Sequence, residues 1–272
     1  MKAARFDYVR AADIAEALAA LTKVEGAKLV AGGQSLGPML NLRLARPSVL
    51  IDVSRLDALR QIEDLGGAWR IGAGVTHARL EDTNLAGGEM LRAVAAAIAY
   101  RSIRNRGTIG GSLAHADPAA DWPLALAALG ASLNIRGPQP RTVLVEHFIR
   151  GAFTTVLQAS ELVESVNVPK LSRAGRHGFY KFCRKTGEFA EVSAAAVFDP
   201  QSGVARIFLG ALRGTLQPLA ALAQQVASGG EAAASAEAVS AAVAQSVGDL
   251  DPVERRMATT AVTRALLQVF AP

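Results

Sequence analysis

Cysteine is almost missing from this 272-residue chain: Cys183 stands alone. One thiol forms no internal disulfide and falls short of the four ligands that an iron–sulfur cluster or a structural zinc takes. Histidine is scarce as well. His77, His115, His147 and His177 show no HxxxH or His-with-Cys spacing, so no metal site is expected. Aromatic residues make up only 5%, while half of the chain is hydrophobic, so the core must be built from Ala, Leu, Val and Ile. No apolar run approaches the length that crosses a membrane. The start, Met1-Lys2-Ala3-Ala4-Arg5-Phe6-Asp7, lacks the apolar centre of a secretion signal. A cytoplasmic protein is expected. There is no GxSxG, no CxxC, no Walker-type phosphate loop and no carboxylate pair in a catalytic setting. That argues against hydrolases and P-loop enzymes, and leaves chemistry that belongs mostly to a cofactor. The net charge of +5 is scattered rather than gathered in a stripe, and no nucleic-acid motif is present, so nucleic acid is not an expected partner. A basic surface suits a phosphate-bearing cofactor or an acidic protein.

What the chain does have is glycine in two telling places. Arg104-Asn105-Arg106-Gly107-Thr108-Ile109-Gly110-Gly111-Ser112 runs on through Leu113-Ala114-His115-Ala116-Asp117-Pro118-Ala119-Ala120-Asp121. It reads as a long loop between two helices. Ala31-Gly32-Gly33-Gln34-Ser35-Leu36 follows the apolar Leu29-Val30. Backbone this bare can approach a ligand and offer N–H groups to anionic oxygens, so the two together suggest phosphates held from both sides. Gly72-Ala73-Gly74 is no dinucleotide fingerprint, because His77 falls where the third glycine would be. Asp121 precedes Trp122-Pro123 and reads as a helix N-cap that could also accept hydrogen bonds from sugar hydroxyls. His115 is the one histidine inside the second glycine segment.

Around these segments the patterning alternates helix and strand. Asp13 and Glu16 form a capping-box-like start for a helix carrying Ile14, Ala17, Leu18 and Leu21, ended by Gly26. Lys28–Ala31 and Val49–Val53 read as strands of a compact βαβ-like lobe. Another strand begins at Trp69–Gly72. Leu91, Val94, Ala95 and Ile98 form one helical face ending near Tyr100. Residues 131–135 and 141–145 read as strands. The strand Glu161–Val168 has Leu162, Val166 and Val168 on one face, with Glu164 as the exception. The polar segment 171–176 marks a domain boundary. Beyond it come strand candidates at 179–184, 192–198 and 204–210. Alanine-rich helices follow, the last opened by Asp251-Pro252.

The chain resembles the FAD-binding medium subunit of molybdenum hydroxylases, the carbon monoxide dehydrogenase and xanthine dehydrogenase family. The resemblance rests on residues 29–36, on Leu42-Arg43-Leu44-Ala45-Arg46-Pro47 followed by Leu50-Ile51-Asp52-Val53-Ser54, and on Ile71 to His77. It rests most on Arg104 to Asp121. The run from Tyr180 to Ala190 is similar to the start of that family's second domain. Ser112 departs from the family's usual Asn, and Lys185-Thr186-Gly187-Glu188 from its usual Arg-Ala-Gly-Asp.

The resemblance implies an α+β fold: a two-lobed FAD-binding domain of the PCMH type (1–175), then a smaller domain (176–272) of a three-stranded antiparallel sheet with helices. It implies FAD as cofactor, with Leu29, Val30, Ala31, Gly32, Gly33, Gln34, Ser35 and Leu36 on one side and Thr108, Ile109, Gly110, Gly111 and Ser112 on the other. Asp121 would hold a sugar hydroxyl, with Ile98, Val163 and Lys181 as further contacts. It implies no catalytic residue and no metal on this chain. Its partners would be a large molybdenum-cofactor subunit and a small 2Fe–2S subunit, in one heterotrimer or a dimer of them. The electron acceptor would be NAD+, a quinone, a carrier protein or oxygen. Two other classes remain open: a self-sufficient FAD-dependent oxidoreductase, and an interaction protein that merely keeps the fold.

Overall fold

The computed structural model describes residues 1–271. A small parallel sheet comes first, in the order β1-β3-β2: β1 (Asp7–Arg10), β2 (Lys28–Val30) and β3 (Val49–Asp52). α1 (Ile14–Lys23) packs Ala17 against it, into a core with Val49, Ile51 and Val53. Its start is the expected cap: the Asp13 carboxylate accepts from the Glu16 amide at 2.8 Å, while the Glu16 carboxylate accepts from the Ala12 amide at 2.7 Å. α2 (Leu36–Asn41) follows the first glycine segment directly.

The second lobe is an antiparallel five-stranded sheet, in the order β4-β5-β10-β6-β7. Its strands are β4 (Ile62–Asp64), β5 (Ala68–Gly72), β6 (Ser132–Arg136), β7 (Arg141–Leu144) and β10 (Leu162–Pro169). Between β5 and β6 lie α3 (His77–Asp82), α4 (Glu89–Ala97), α5 (Arg101–Arg104), α6 (Ile109–His115) and α7 (Asp121–Ala128). After Asp121, α7 is hydrophobic on every side, and it is buried at every position, with Trp122 fully enclosed. A short hairpin, β8 (Ile149–Gly151) with β9 (Thr154–Thr155), precedes β10.

β10 departs from simple alternation. Its pairing with β6 shifts between Val163 and Ser165, leaving Glu164 as a bulge. The bulge reverses the sides. Val163, Val166 and Val168 face one core, whereas Leu162 joins the core of the first lobe. The expected grouping of Leu162 with Val166 and Val168 is corrected accordingly.

The C-terminal part is a sheet in the order β11-β12-β13-β14 with helices on one face. Its strands are β11 (Arg176–Phe182), β12 (Val192–Asp199), β13 (Val204–Gly210) and the two-residue β14 (Gln217–Pro218). The helices are α8 (Ala220–Gly229), α9 (Ala236–Ser246) and α10 (Pro252–Phe270), the last opened by a full capping box at Asp251 and Glu254. β12 alternates between two cores. Ala195 and Val197, with Phe208 of β13, join the core around α7. Val192, Ala194 and Ala196 join the core beneath α8–α10. No helix among the described residues is long and apolar enough to cross a membrane.

Candidate functional site

The two glycine segments meet. The Arg106 Nε donates to the Gly32 carbonyl at 3.3 Å. A Cβ on Gly32 would overlap the carbonyl of Arg106, so only glycine permits this approach. Arg106 is a contributor that sequence reasoning passed over; its signal was an arginine abutting the glycine run.

The segments offer different chemistry. Among the described residues, the backbone amides of Gly32, Gly33, Gln34 and Ser35 donate to no protein acceptor, while the Gln34 side-chain amide donates to the Gly32 carbonyl at 3.1 Å. Gly33 sits at φ +69°, in the left-handed region. The second segment is not a loop but the N-terminal half of α6. Thr108 is its N-cap, accepting from the Gly111 amide at 3.1 Å. The amides of Ile109, Gly110 and Ser112 donate to the carbonyls of Val75, Ala73 and Thr108. The expectation of free amides therefore fails at residues 109–112, because capping and packing consume them. A Cβ on Gly110 would overlap that of Ala73, so this glycine lets α6 pack against the residue that follows β5. What residues 108–112 still present is the Thr108 hydroxyl proton, the Ser112 hydroxyl and the exposed backbone of Gly111.

Asp121 is the first residue of α7 and not its cap; Ala120 holds that position with no side-chain bond. The Asp121 carboxylate points elsewhere. Its Oδ2 lies 2.9 Å from Lys181 Nζ on β11, and its buried Oδ1 has no hydrogen-bond partner. Burial pushes its pKa up, and the Lys181 ammonium offsets only part of this. Lys181 also donates to the Ala97 carbonyl at 3.3 Å. Asp117 closes a local turn, accepting from the Ala119 amide at 2.9 Å.

A chain of contacts ties Asp121 to the glycine segments. Its neighbour Trp122 donates through Nε1 to His77 Nδ1 at 2.9 Å. The His77 amide donates to the Gly107 carbonyl at 2.9 Å, next to Arg106 and Gly32. His77 is buried, and burial, helped by the Arg104 charge, lowers its pKa to about 4. It is therefore a neutral acceptor for Trp122. Ile98 lies just past α4 rather than on it, as the C-cap. Arg104 fixes that stretch, donating to the carbonyls of Ile98 and Ala99 at 2.9 and 2.8 Å. Val163 is buried in the core opposite Ile135. Its neighbour Glu164 accepts from Ala73, whose carbonyl holds Gly110. Leu29 and Val30 end β2, and Ala31 follows them. His115 leaves the second segment and packs on the exposed Phe153 ring, centroids 5.2 Å apart.

Residues 4–171 match the family model of the FAD-binding domain in molybdopterin dehydrogenase. This chain belongs to the FAD-binding medium-subunit family of molybdenum hydroxylases. It is 35% identical to the nicotine 6-hydroxylase medium subunit of Paenarthrobacter nicotinovorans, over 93% of this chain and 91% of that one. Its fold matches that of carbon monoxide dehydrogenase from Hydrogenophaga pseudoflava, with TM-score 0.90 and 33% identity over 100% of this chain and 99% of that one. It also matches the reconstituted CO dehydrogenase of Oligotropha carboxidovorans, with TM-score 0.91 and 30% identity over 99% of each chain. The PCMH-type α+β architecture is thus that of this medium subunit.

Proposed function

We propose that this chain is the FAD-bearing electron-transfer subunit of a cytoplasmic molybdenum hydroxylase complex. Electrons from a large molybdenum-bearing subunit would reach it through the 2Fe–2S clusters of a small subunit. They would leave to an external acceptor: NAD+, a quinone, a carrier protein or oxygen. FAD would lie between residues 1–175 and residues 176–272, taken as two domains. The redox chemistry is FAD's own: one-electron uptake and two-electron release.

The observation that carries this reading is the buried, partnerless Oδ1 of Asp121. A buried acceptor without a donor costs about 1–3 kcal/mol, which an incoming hydroxyl would relieve. The unspent amides of residues 32–35 suit a pyrophosphate in the same way. These residues fit FAD. Gly32, Gly33, Gln34 and Ser35 would bind the phosphates through backbone N–H groups, with Leu29, Val30, Ala31 and Leu36 flanking them. Thr108 and Ser112 would add hydroxyls, with Ile109, Gly110 and Gly111 as their scaffold. Asp121 would take a ribityl or ribose hydroxyl, and Lys181, near the isoalloxazine, would stabilise the anionic reduced flavin electrostatically. Ile98 and Val163 would supply apolar contact.

The test is an absorbance spectrum of the purified chain, with heat release and identification of any flavin. Flavin bands and released FAD would support the reading. A colourless chain that takes up no added FAD would overturn it.

A further inference from the structure

The backbone carbonyls of three successive residues, Ala97, Ile98 and Ala99, are each taken by a cationic side chain. α4 ends at Ala97, where a helix leaves its last carbonyls without partners inside it. Lys181 Nζ donates to the Ala97 carbonyl at 3.3 Å. Arg104 Nη1 donates to the carbonyls of Ile98 and Ala99. A turn that only leads the chain out of a helix places glycine at the left-handed position and lets water take the carbonyls. Here Ala99 holds that position, at φ +41°. A non-glycine residue keeps this conformation only where its surroundings hold it there.

The surroundings do hold it. The other edge of the Arg104 guanidinium faces Glu81 of α3: Nε and Nη2 donate to its two carboxylate oxygens at 2.8 and 3.2 Å. Both side chains are largely buried, and the two-pronged pairing fixes the plane of the guanidinium as no single contact could. Gly187, from the C-terminal half, closes on the same turn. A Cβ there would lie 3.0 Å from the Ala99 carbonyl oxygen.

What the turn positions is Lys181. Of the three N–H groups of its ammonium, one reaches Ala97, one reaches Asp121 Oδ2, and the third has no protein acceptor among the described residues. The same ion pair keeps Asp121 Oδ1 without a donor. One donor and one acceptor thus stand open on a single buried pair, and the Ala97 carbonyl helps decide where the donor points. Arg104 itself bonds to neither Lys181 nor Asp121. We propose that Arg104, backed by Glu81, is a positioning residue: it fixes the Ala97–Ala99 turn and through it the Lys181 ammonium, on which the hold of the Asp121–Lys181 pair on FAD depends. This rests on the functional reading above.

The test strips flavin from the complex co-expressed from its three chains and titrates FAD back. The variants on this chain are Arg104→Met, Glu81→Gln and Lys181→Gln, with Lys181→Gln also combined with each of the other two. The FAD dissociation constant is expected to rise about tenfold in Arg104→Met and about threefold in Glu81→Gln. In the Lys181→Gln background either change should add less than about twofold, because its effect runs through Lys181. The flavin midpoint potential should fall in Arg104→Met as it does in Lys181→Gln, since a displaced ammonium stabilises the reduced form less. A residue that merely supports the fold would lower the urea midpoint, add its full effect in the Lys181→Gln background and leave the potential unmoved; that pattern would overturn the proposal, as would wild-type affinity in Arg104→Met. Should Arg104→Met fail to fold, Glu81→Gln makes the same comparison. A wild-type complex that takes up no FAD would instead sink the functional reading, and the positioning role with it.

Discussion

Lys181 Nζ and Asp121 Oδ2 lie 2.9 Å apart with both side chains buried, joining β11 of the C-terminal sheet to the first turn of α7. The pair is closed on one side only. Asp121 spends one oxygen on the ammonium and keeps the other without a donor.

Asp121→Ala removes that acceptor and strands the Lys181 charge in a buried place. Loss of one partner of a buried pair costs about 3–5 kcal/mol. FAD retention is expected to fall along with stability, while Asp121→Asn, which keeps an oxygen, should retain more flavin than the alanine variant. The flavin-to-protein absorbance ratio after desalting reads this. Wild-type flavin content in Asp121→Ala would take Asp121 out of the FAD site.

Acid sensitivity should trace to His77. Its pKa is about 4 in the folded chain against 6.5 for a free histidine. Between these values the unfolded chain binds the proton and the folded one does not. Stability is therefore full above pH 6.5 and falls as the pH drops toward 4, by about 3 kcal/mol in all. His77→Gln keeps an acceptor for Trp122 Nε1 but cannot titrate. Denaturant midpoints at pH 7 and pH 4.5 should differ much less in this variant. An undiminished difference would place the acid sensitivity elsewhere.

Two glycines near the site should respond oppositely to alanine. Gly32→Ala drives a methyl into the Arg106 carbonyl and is expected to cost more than about 3 kcal/mol. Gly37 lies in α2, with nothing within 4 Å of an added Cβ. Gly37→Ala should gain about 0.5–1 kcal/mol, as alanine does in a helix. Urea midpoints of the two variants give the comparison; similar destabilisation in both would contradict the close approach of the two segments.

Asp251→Ala removes the capping box of α10, far in sequence from the glycine segments. Its Oδ1 accepts from the Val253 and Glu254 amides at 2.8 Å. The expected loss is about 1 kcal/mol of stability, with flavin content per folded chain unchanged. A drop in flavin content at full folding would show that α10 reaches the site.

Local chemistry was legible in the sequence where side chain and backbone act within one turn of chain. Asp13 with Glu16 and Asp251 with Pro252 announced their helices, and residues 192–198 read as the strand that β12 forms. Where distant contacts decide, it was not. α6 opens with Ile109-Gly110-Gly111-Ser112, poor helix formers, and is held by Ala73 and Val75 from another part of the chain. α2 and α3 contain or follow residues that read as turn signals. The Glu164 bulge depends on pairing with β6, which no local pattern contains. The two glycine segments do meet, since Gly32 and Arg106 touch. Which glycines serve packing and which leave amides free depended on partners from elsewhere. So did the meeting of Asp121 with Lys181, 60 positions apart.

β12 leaves neither half of the molecule a surface of its own. Ala195 and Val197 roof the interior that contains Trp122, and Ala194 and Ala196 floor the one under α10. Cutting the chain before β11 would open the first interior to water, so both halves should melt in a single calorimetric transition. The amides of β12 should exchange with deuterium only when the whole molecule opens. A small molecule bound beside Asp121 would then slow exchange in α10 as well, because whatever stabilises the shared wall protects the rooms on both sides of it.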